Sequence, residues 1–192
     1  KKISLDVVEM IDVFYPSKGN TKSHELKEFI NDRLVNYLKD NGYSSQQVDA
    51  VAGVMPSKLH DIIDRLDAVK TFIAFDESDI LAATNKRVTN ILKKYDVNQN
   101  TKIDTKLFQE TEENNLYEAL NKTSKEISGA LKVNNYTKAL TMLIELKEPI
   151  DSFFEKIMVN AEDKDIRANR HNLLIQLHKE MNCVADISKL SS

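Results

Sequence analysis

Tryptophan is absent from the 192 residues, and the chain holds only four glycines, three prolines and one cysteine. Glycine and proline together reach about a third of their usual share. Chains so poor in turn formers do not build sandwiches, barrels or flexible linkers; long helices are what remains. The single cysteine, Cys183, excludes an internal disulfide framework and fits a reducing compartment. No apolar run approaches the roughly 18 residues of a membrane span, mean hydropathy is −0.43, and no signal-peptide pattern is visible. The chain opens Lys1-Lys2-Ile3 without a methionine, so a piece of a longer chain is expected. At roughly 150 residues per domain, the length predicts one domain, or one plus an appendage. Net charge is −3, which disfavours bulk nucleic-acid affinity but leaves room for a local basic patch.

What is present is helical periodicity with marked ends. From Ser23, apolar residues Leu26, Phe29, Ile30, Leu34, Tyr37 and Leu38 recur at three- and four-residue steps, and Gly42 stops the run. Ser44 with Gln47 forms a capping-box pattern for a short helix ending near Gly53. Pro56-Ser57 opens the next, with Leu59, Ile62, Ile63, Leu66, Val69 and Ile73 on one face; Ser78 is expected to cap a fourth, reaching Tyr95. Residues 96–111 read as a polar, irregular excursion. Helices near 112–133, 136–147 and 150–159 follow, with Asn134-Asn135 and Pro149 as breaks, and a last one runs from Asp163 to Met181. No segment alternates with period two. The expectation is an all-α bundle over residues 21–192, with 1–20 as a connector from an upstream domain.

Patterns that could carry catalysis fail on inspection. Asp96, Asn98, Asn100 and Asp104 fall at the first, third, fifth and ninth positions of a calcium-loop pattern. Thr101 replaces the turn glycine and Leu107 the bidentate glutamate, so a solvated loop is expected. His60-Asp61 with Asp64 suggests a metal dyad, but only His24, His171 and His178 could join it. Cys183 reads as a small core residue. Glycines scattered singly make no phosphate cradle, and no serine or threonine sits in a nucleophile motif. The expectation is no catalytic site and no metal site.

Two segments depart from the acidic background. Between Ile80 and Tyr95 stand Lys86, Arg87, Lys93 and Lys94 with no acidic residue. At about 100° per residue, Ile80, Thr84, Val88, Ile91, Leu92 and Tyr95 share one sector, and the four cations with Asn90 share the opposite one. That stripe is either a solvated helix face or a polyanion contact. The second segment, Glu162-Asp163-Lys164-Asp165-Ile166-Arg167-Ala168-Asn169-Arg170-His171, opens the last helix, where flanking arginines suit a phosphate. Arg170 projects close to the apolar face and is read as a candidate contact or as a half-buried partner of a carboxylate.

These segments resemble a known family. Ala82-Ala83-Thr84-Asn85-Lys86-Arg87-Val88-Thr89-Asn90-Ile91-Leu92-Lys93-Lys94, Glu148-Pro149-Ile150-Asp151-Ser152-Phe153-Phe154, Met158 through Arg170, and Val184-Ala185-Asp186-Ile187-Ser188 are similar to stretches near the C-terminus of bacterial glycyl-tRNA synthetase beta subunits. Phe29-Ile30-Asn31-Asp32-Arg33-Leu34 and Val48-Asp49-Ala50-Val51 fit as well. Asn160 stands where that family usually has methionine, and His171 where leucine is usual. The resemblance implies a helical bundle of the class I synthetase anticodon-binding type, named for a D-A-L-R motif, within a cytoplasmic ligase that joins glycine to its tRNA.

It also implies partners: the anticodon loop of glycine tRNA, and a separate alpha subunit that carries the adenylate-forming site in a heterotetramer. ATP and magnesium belong to the whole enzyme, with no cofactor in this fragment, no DNA and no membrane. The tRNA-binding candidates are Lys86, Arg87, Asn90, Lys93, Lys94, Glu162, Lys164, Arg167, Asn169 and Arg170. Glycine anticodons end in two cytosines, whose edges present an N4 donor beside N3 and O2 acceptors. Reading them takes a carboxylate or amide oxygen together with an Arg, Lys or Asn donor, and unstacked bases favour an aromatic or guanidinium platform, for which Tyr95 is a candidate. The competing class is a non-catalytic interaction bundle that docks its basic stripe on an acidic protein.

Overall fold

The computed structural model describes residues 21–54, 56, 59–94 and 102–191. The 1–20 connector, the Asp96–Thr101 part of the calcium-like loop, Tyr95 and the side chain of His60 lie outside the described residues. Helices α1 (Thr21–Asp40), α2 (Ser45–Gly53), α3 (Leu59–Phe72) and α4 (Glu77–Lys93) make the first half. Helices α5 (Thr111–Lys132), α6 (Tyr136–Thr141), α7 (Lys147–Lys156) and α8 (Lys164–Met181) make the second, and the described residues contain no strand.

Local chemistry sets the ends where expected. Gly42, at φ +93, closes α1: its N–H bonds the Lys39 carbonyl at 3.1 Å and the Tyr43 N–H reaches Leu38 at 3.3 Å. That paired bonding requires a left-handed residue, which glycine adopts without a Cβ clash. Asn134 (φ 54) ends α5 in the same way, through Asn134 N–H to Leu131 and Asn135 N–H to Ala130, and the Asn135 side chain then caps α6. Ser44 and Gln47 form the reciprocal capping box, and the Asp163 carboxylate accepts from the N–H groups of Asp165 and Ile166.

Three boundary or phase expectations are corrected. Ser78 does not cap α4; the helix starts after Asp76, and Ser78 is buried within its first turn. Pro149 breaks nothing. It is the third residue of α7, where its missing N–H has no intrahelical acceptor to serve. In α3 the buried face is Ile62, Leu66, Val69 and Phe72, while Ile63, and Ile73 just past the helix end, are exposed.

The core runs along the α5, α7 and α8 contacts through Leu116, Leu120, Ile150, Phe153, Leu173 and Leu177, all nearly inaccessible. It continues through α3 packed on α6. The terminal 3-10 turn Ile187–Leu190 packs against α2 and α4. It is held by Asp186 N–H to the Ala50 carbonyl (2.8 Å). Just before it, Arg65 donates to the Val184 carbonyl (2.6 Å). Thus α4 is clasped between α8 on one side and the chain's last turn on the other. Its outer face is left as a ridge.

Asp61 belongs to this scaffold. Asp61 is buried, and its hydrogen bond to Tyr136, after burial itself, raises the Tyr136 phenol above its ordinary pKa. Among the described residues no cluster of His, Cys, Asp and Glu is arranged to hold a metal.

Candidate functional site

Helix α4 presents its cations outward. Lys86, Arg87, Asn90, Lys93 and Lys94 are exposed, while Leu81, Ala82, Asn85 and Val88 are buried. The inward sector differs from the expected one. Ile80 lies 44% exposed and Asn85 is fully buried, because Asn85 exchanges amide hydrogen bonds with Asn182 of the α8 end (3.0 and 3.3 Å). One turn on, Thr89 meets His178 at 3.2 Å. Burial holds the His178 imidazole below its ordinary pKa, against a smaller upward pull from Asp186. These paired polar contacts fix how α4 and α8 face each other.

Between the ridge and the start of α8 lies a groove of about 610 Å³. Lys86, Arg87, Asn90 and Lys94 form one wall, and Asn160, Arg167 and His171 the other, with Ala83 and Ile91 between them. The two basic segments, some 80 residues apart in sequence, therefore meet in one concavity. Four cations and two amides line it, and no carboxylate does.

Two of those cations are held in place. The Arg87 guanidinium carbon sits 4.1 Å from the centroid of the Phe154 ring. That ring packs edge-on against buried Phe153, with centroids 5.5 Å apart at 82°. A guanidinium over an aromatic face gains cation–π attraction and keeps its other plane outward. Arg167 donates to the Ala161 carbonyl at 3.0 Å, which folds it back beside the loop before α8. His171 Nδ1–H donates to the Arg167 carbonyl at 2.7 Å, so a neutral ring carries its proton on Nδ1.

Not every candidate reaches the groove. Lys93 points to the opposite flank of the ridge, and exposed Glu162 and Lys164 stand outside the groove lining. Asn169 is turned inward, 3% exposed. It clamps the backbone of Asp104, accepting its N–H (2.8 Å) and donating to its carbonyl (2.9 Å). Asn172 likewise donates to the Lys102 carbonyl, so the described end of the excursion is tied to α8.

Arg170 is buried and paired with Glu113, Nε to Oε1 at 2.8 Å. It also donates to the Met158 carbonyl at 2.9 Å. Burial alone would raise the Glu113 carboxyl; the Arg170 guanidinium and the N–H groups of Gln109 and Glu110 reverse this and hold it below the usual carboxylate range. Asn169 and Arg170 therefore serve the scaffold under the groove, not its surface.

Residues 81–185 match the family model described as the DALR anticodon binding domain. This chain belongs to that family. Several proteins of the same sequence type are named glycine–tRNA ligase beta subunit. The one from Janthinobacterium sp. (strain Marseille) is 44% identical over 92% of this chain and 26% of its own length. That from Delftia acidovorans is 40% identical over 100% of this chain and 28% of its own. The Dechloromonas aromatica protein is 46% identical over 87% and 24% respectively. The chain thus spans about a quarter of the length of these relatives.

Within this anticodon-binding domain, sequence reasoning missed Phe154 as the support of Arg87. The only signal was its place in the Glu148–Phe154 stretch. It also treated Asn160 and His171 as departures from a pattern, whereas both line the groove.

Proposed function

We propose that this chain is the anticodon-reading domain of the beta chain of a cytoplasmic glycine–tRNA ligase. The observation that carries the proposal is the meeting of both basic segments around a carboxylate-free groove in a member of the anticodon-binding family. A single-stranded loop needs cations for its phosphates and a flat group for an unstacked base. Lys86 and Lys94 meet the first need, and Arg87, braced by Phe154, the second. Within the groove an amide oxygen, from Asn90 or Asn160, is the acceptor available for a base amine; Arg167 and the amide N–H groups face base acceptors. ATP and magnesium belong to the whole enzyme, and glycine activation to a separate alpha chain in a heterotetramer, a reading supported by the likeness of this chain to beta subunits.

The experiment is competition. Labelled glycine tRNA bound to the full-length protein is displaced by unlabelled tRNA carrying the matching anticodon or one with its two cytosines changed. The matched tRNA should displace more strongly by roughly tenfold or more, as expected for one good bidentate contact. Equal displacement by both, or displacement by an acidic protein alone, would defeat the proposal.

A further inference from the structure

A second groove, of about 790 Å³, flanks the same ridge on the side away from α8. Lys86 and Asn90 line both grooves, so they form the crest between them. Helical angles agree: with Lys86 at zero, Asn90 falls at about 40°, Arg87 and Lys94 at about 80–100°, and Lys93 and Thr89 at about −20 and −60°. The second groove differs in one respect that decides its chemistry. Asp32 of α1 and Asp49 of α2 line it, together with Lys93 and the Lys189 of the last turn. Among the described residues Asp32 makes no ion pair or hydrogen bond, and it is exposed. The Asp49 carboxylate lies 3.9 Å from Lys39, and the residue's backbone carbonyl holds Lys189 Nζ at 3.2 Å.

Two carboxylates repel phosphate, so this groove is not a second copy of the first. It does offer acceptors next to donors from Asn90, Lys86 and Lys93. The edge of a base that bears an exocyclic amine beside ring acceptors has the complementary pattern. The geometry points to this second groove as a base-reading subsite, in which the Asp32 carboxylate accepts from the N4 amine of a cytosine while the crest residues donate to N3 and O2. One loop then straddles α4, with a nucleotide on either side of Lys86 and Asn90. The inference rests on the reading of the chain as a binder of the tRNA anticodon loop. It gives a role to the Asp32-Arg33-Leu34 and Asp49 stretches that the first groove leaves unused.

The test uses the full-length protein and glycine-tRNA anticodon stem–loops with cytosine or uracil at each of the last two anticodon positions. Uracil carries O4, an acceptor, where cytosine carries the N4 donor, so it opposes a carboxylate. Asp32→Asn keeps the shape and adds a donor, and exposure makes it harmless to folding. Removing a negative charge raises affinity for every RNA, so the readout is the cytosine-to-uracil ratio at each position and not affinity itself. The expected result is a ratio lowered roughly tenfold or more at one position and unchanged at the other, with Asp49→Asn changing it less. If the unaltered protein prefers cytosine but Asp32→Asn keeps both ratios, the subsite is refuted and the anticodon reading stands. If the unaltered protein shows no preference at either position, the anticodon reading itself fails.

Discussion

Replacing Arg170 with alanine removes one half of an ion pair whose side chains are 7% and 0% exposed. It leaves the Glu113 carboxylate in the core, and it frees the Met158 carbonyl that Arg170 holds at 2.9 Å. Stranding one partner of a buried pair costs about 3–5 kcal/mol. In a domain of this size each kcal/mol moves the melting temperature by roughly 2–4 °C, so a drop on the order of 10 °C is expected in thermal unfolding followed by circular dichroism. The double variant with Arg170→Met and Glu113→Gln should recover part of the loss, because the uncompensated charge is gone while an oxygen remains to accept from the Gln109 and Glu110 N–H groups.

The pH dependence has a defined sign. Glu113 has a folded pKa below its unfolded one, so its contribution is present above the unfolded pKa and disappears as pH falls through the folded value. The gap between unaltered and Arg170→Ala protein should therefore narrow in acid. RNA selectivity, measured well below the melting point, should survive. An Arg170→Ala protein melting within about 1 °C of the unaltered one would refute the burial argument. Loss of selectivity at full foldedness would return Arg170 to the recognition surface.

Three further outcomes are expected. Lys94→Ala, in the carboxylate-free groove, should weaken matched and altered tRNAs alike and lower the salt slope by about 0.7 for each phosphate that is no longer neutralised, read from binding across a salt series. Arg87→Lys keeps the charge but loses the plane over Phe154, so it should erode preference for the matched anticodon more than overall affinity, as Phe154→Leu should too; the check is matched-to-altered affinity ratios for both variants. Cys183, whose thiol burial pushes up to about 12, should resist iodoacetamide at neutral pH in the folded protein and react after denaturation, which mass spectrometry would follow.

How much of this was legible in the sequence depends on the range of the forces involved. Gly42, Asn134, the Ser44–Gln47 box and Asp163 act within a few residues, so their helix ends could be read directly. The exposed cationic stripe of α4 was also legible, being a property of one helix. The phase of its inner face was not. Ile80 is left in solvent and Asn85 taken into the core because Asn182, 97 positions away, offers the matching amide. Asn169 looked like a surface donor for the same reason, and the half-buried alternative for Arg170 came without the identity of its carboxylate. Their partners, Asp104 and Glu113, are 65 and 57 positions distant, and no local pattern announces them. Phe154 beneath Arg87 is a contact between α7 and α4 that only packing creates.

The most direct measurement places a photo-crosslinking amino acid at Asn90, on the crest of α4, in the full-length protein bound to glycine tRNA. The crosslinked nucleotide is then mapped by primer extension. Adducts are expected within the anticodon loop, centred on its last two anticodon positions. Adducts confined to the acceptor arm, or to a protein chain instead of RNA, would contradict anticodon reading by this ridge.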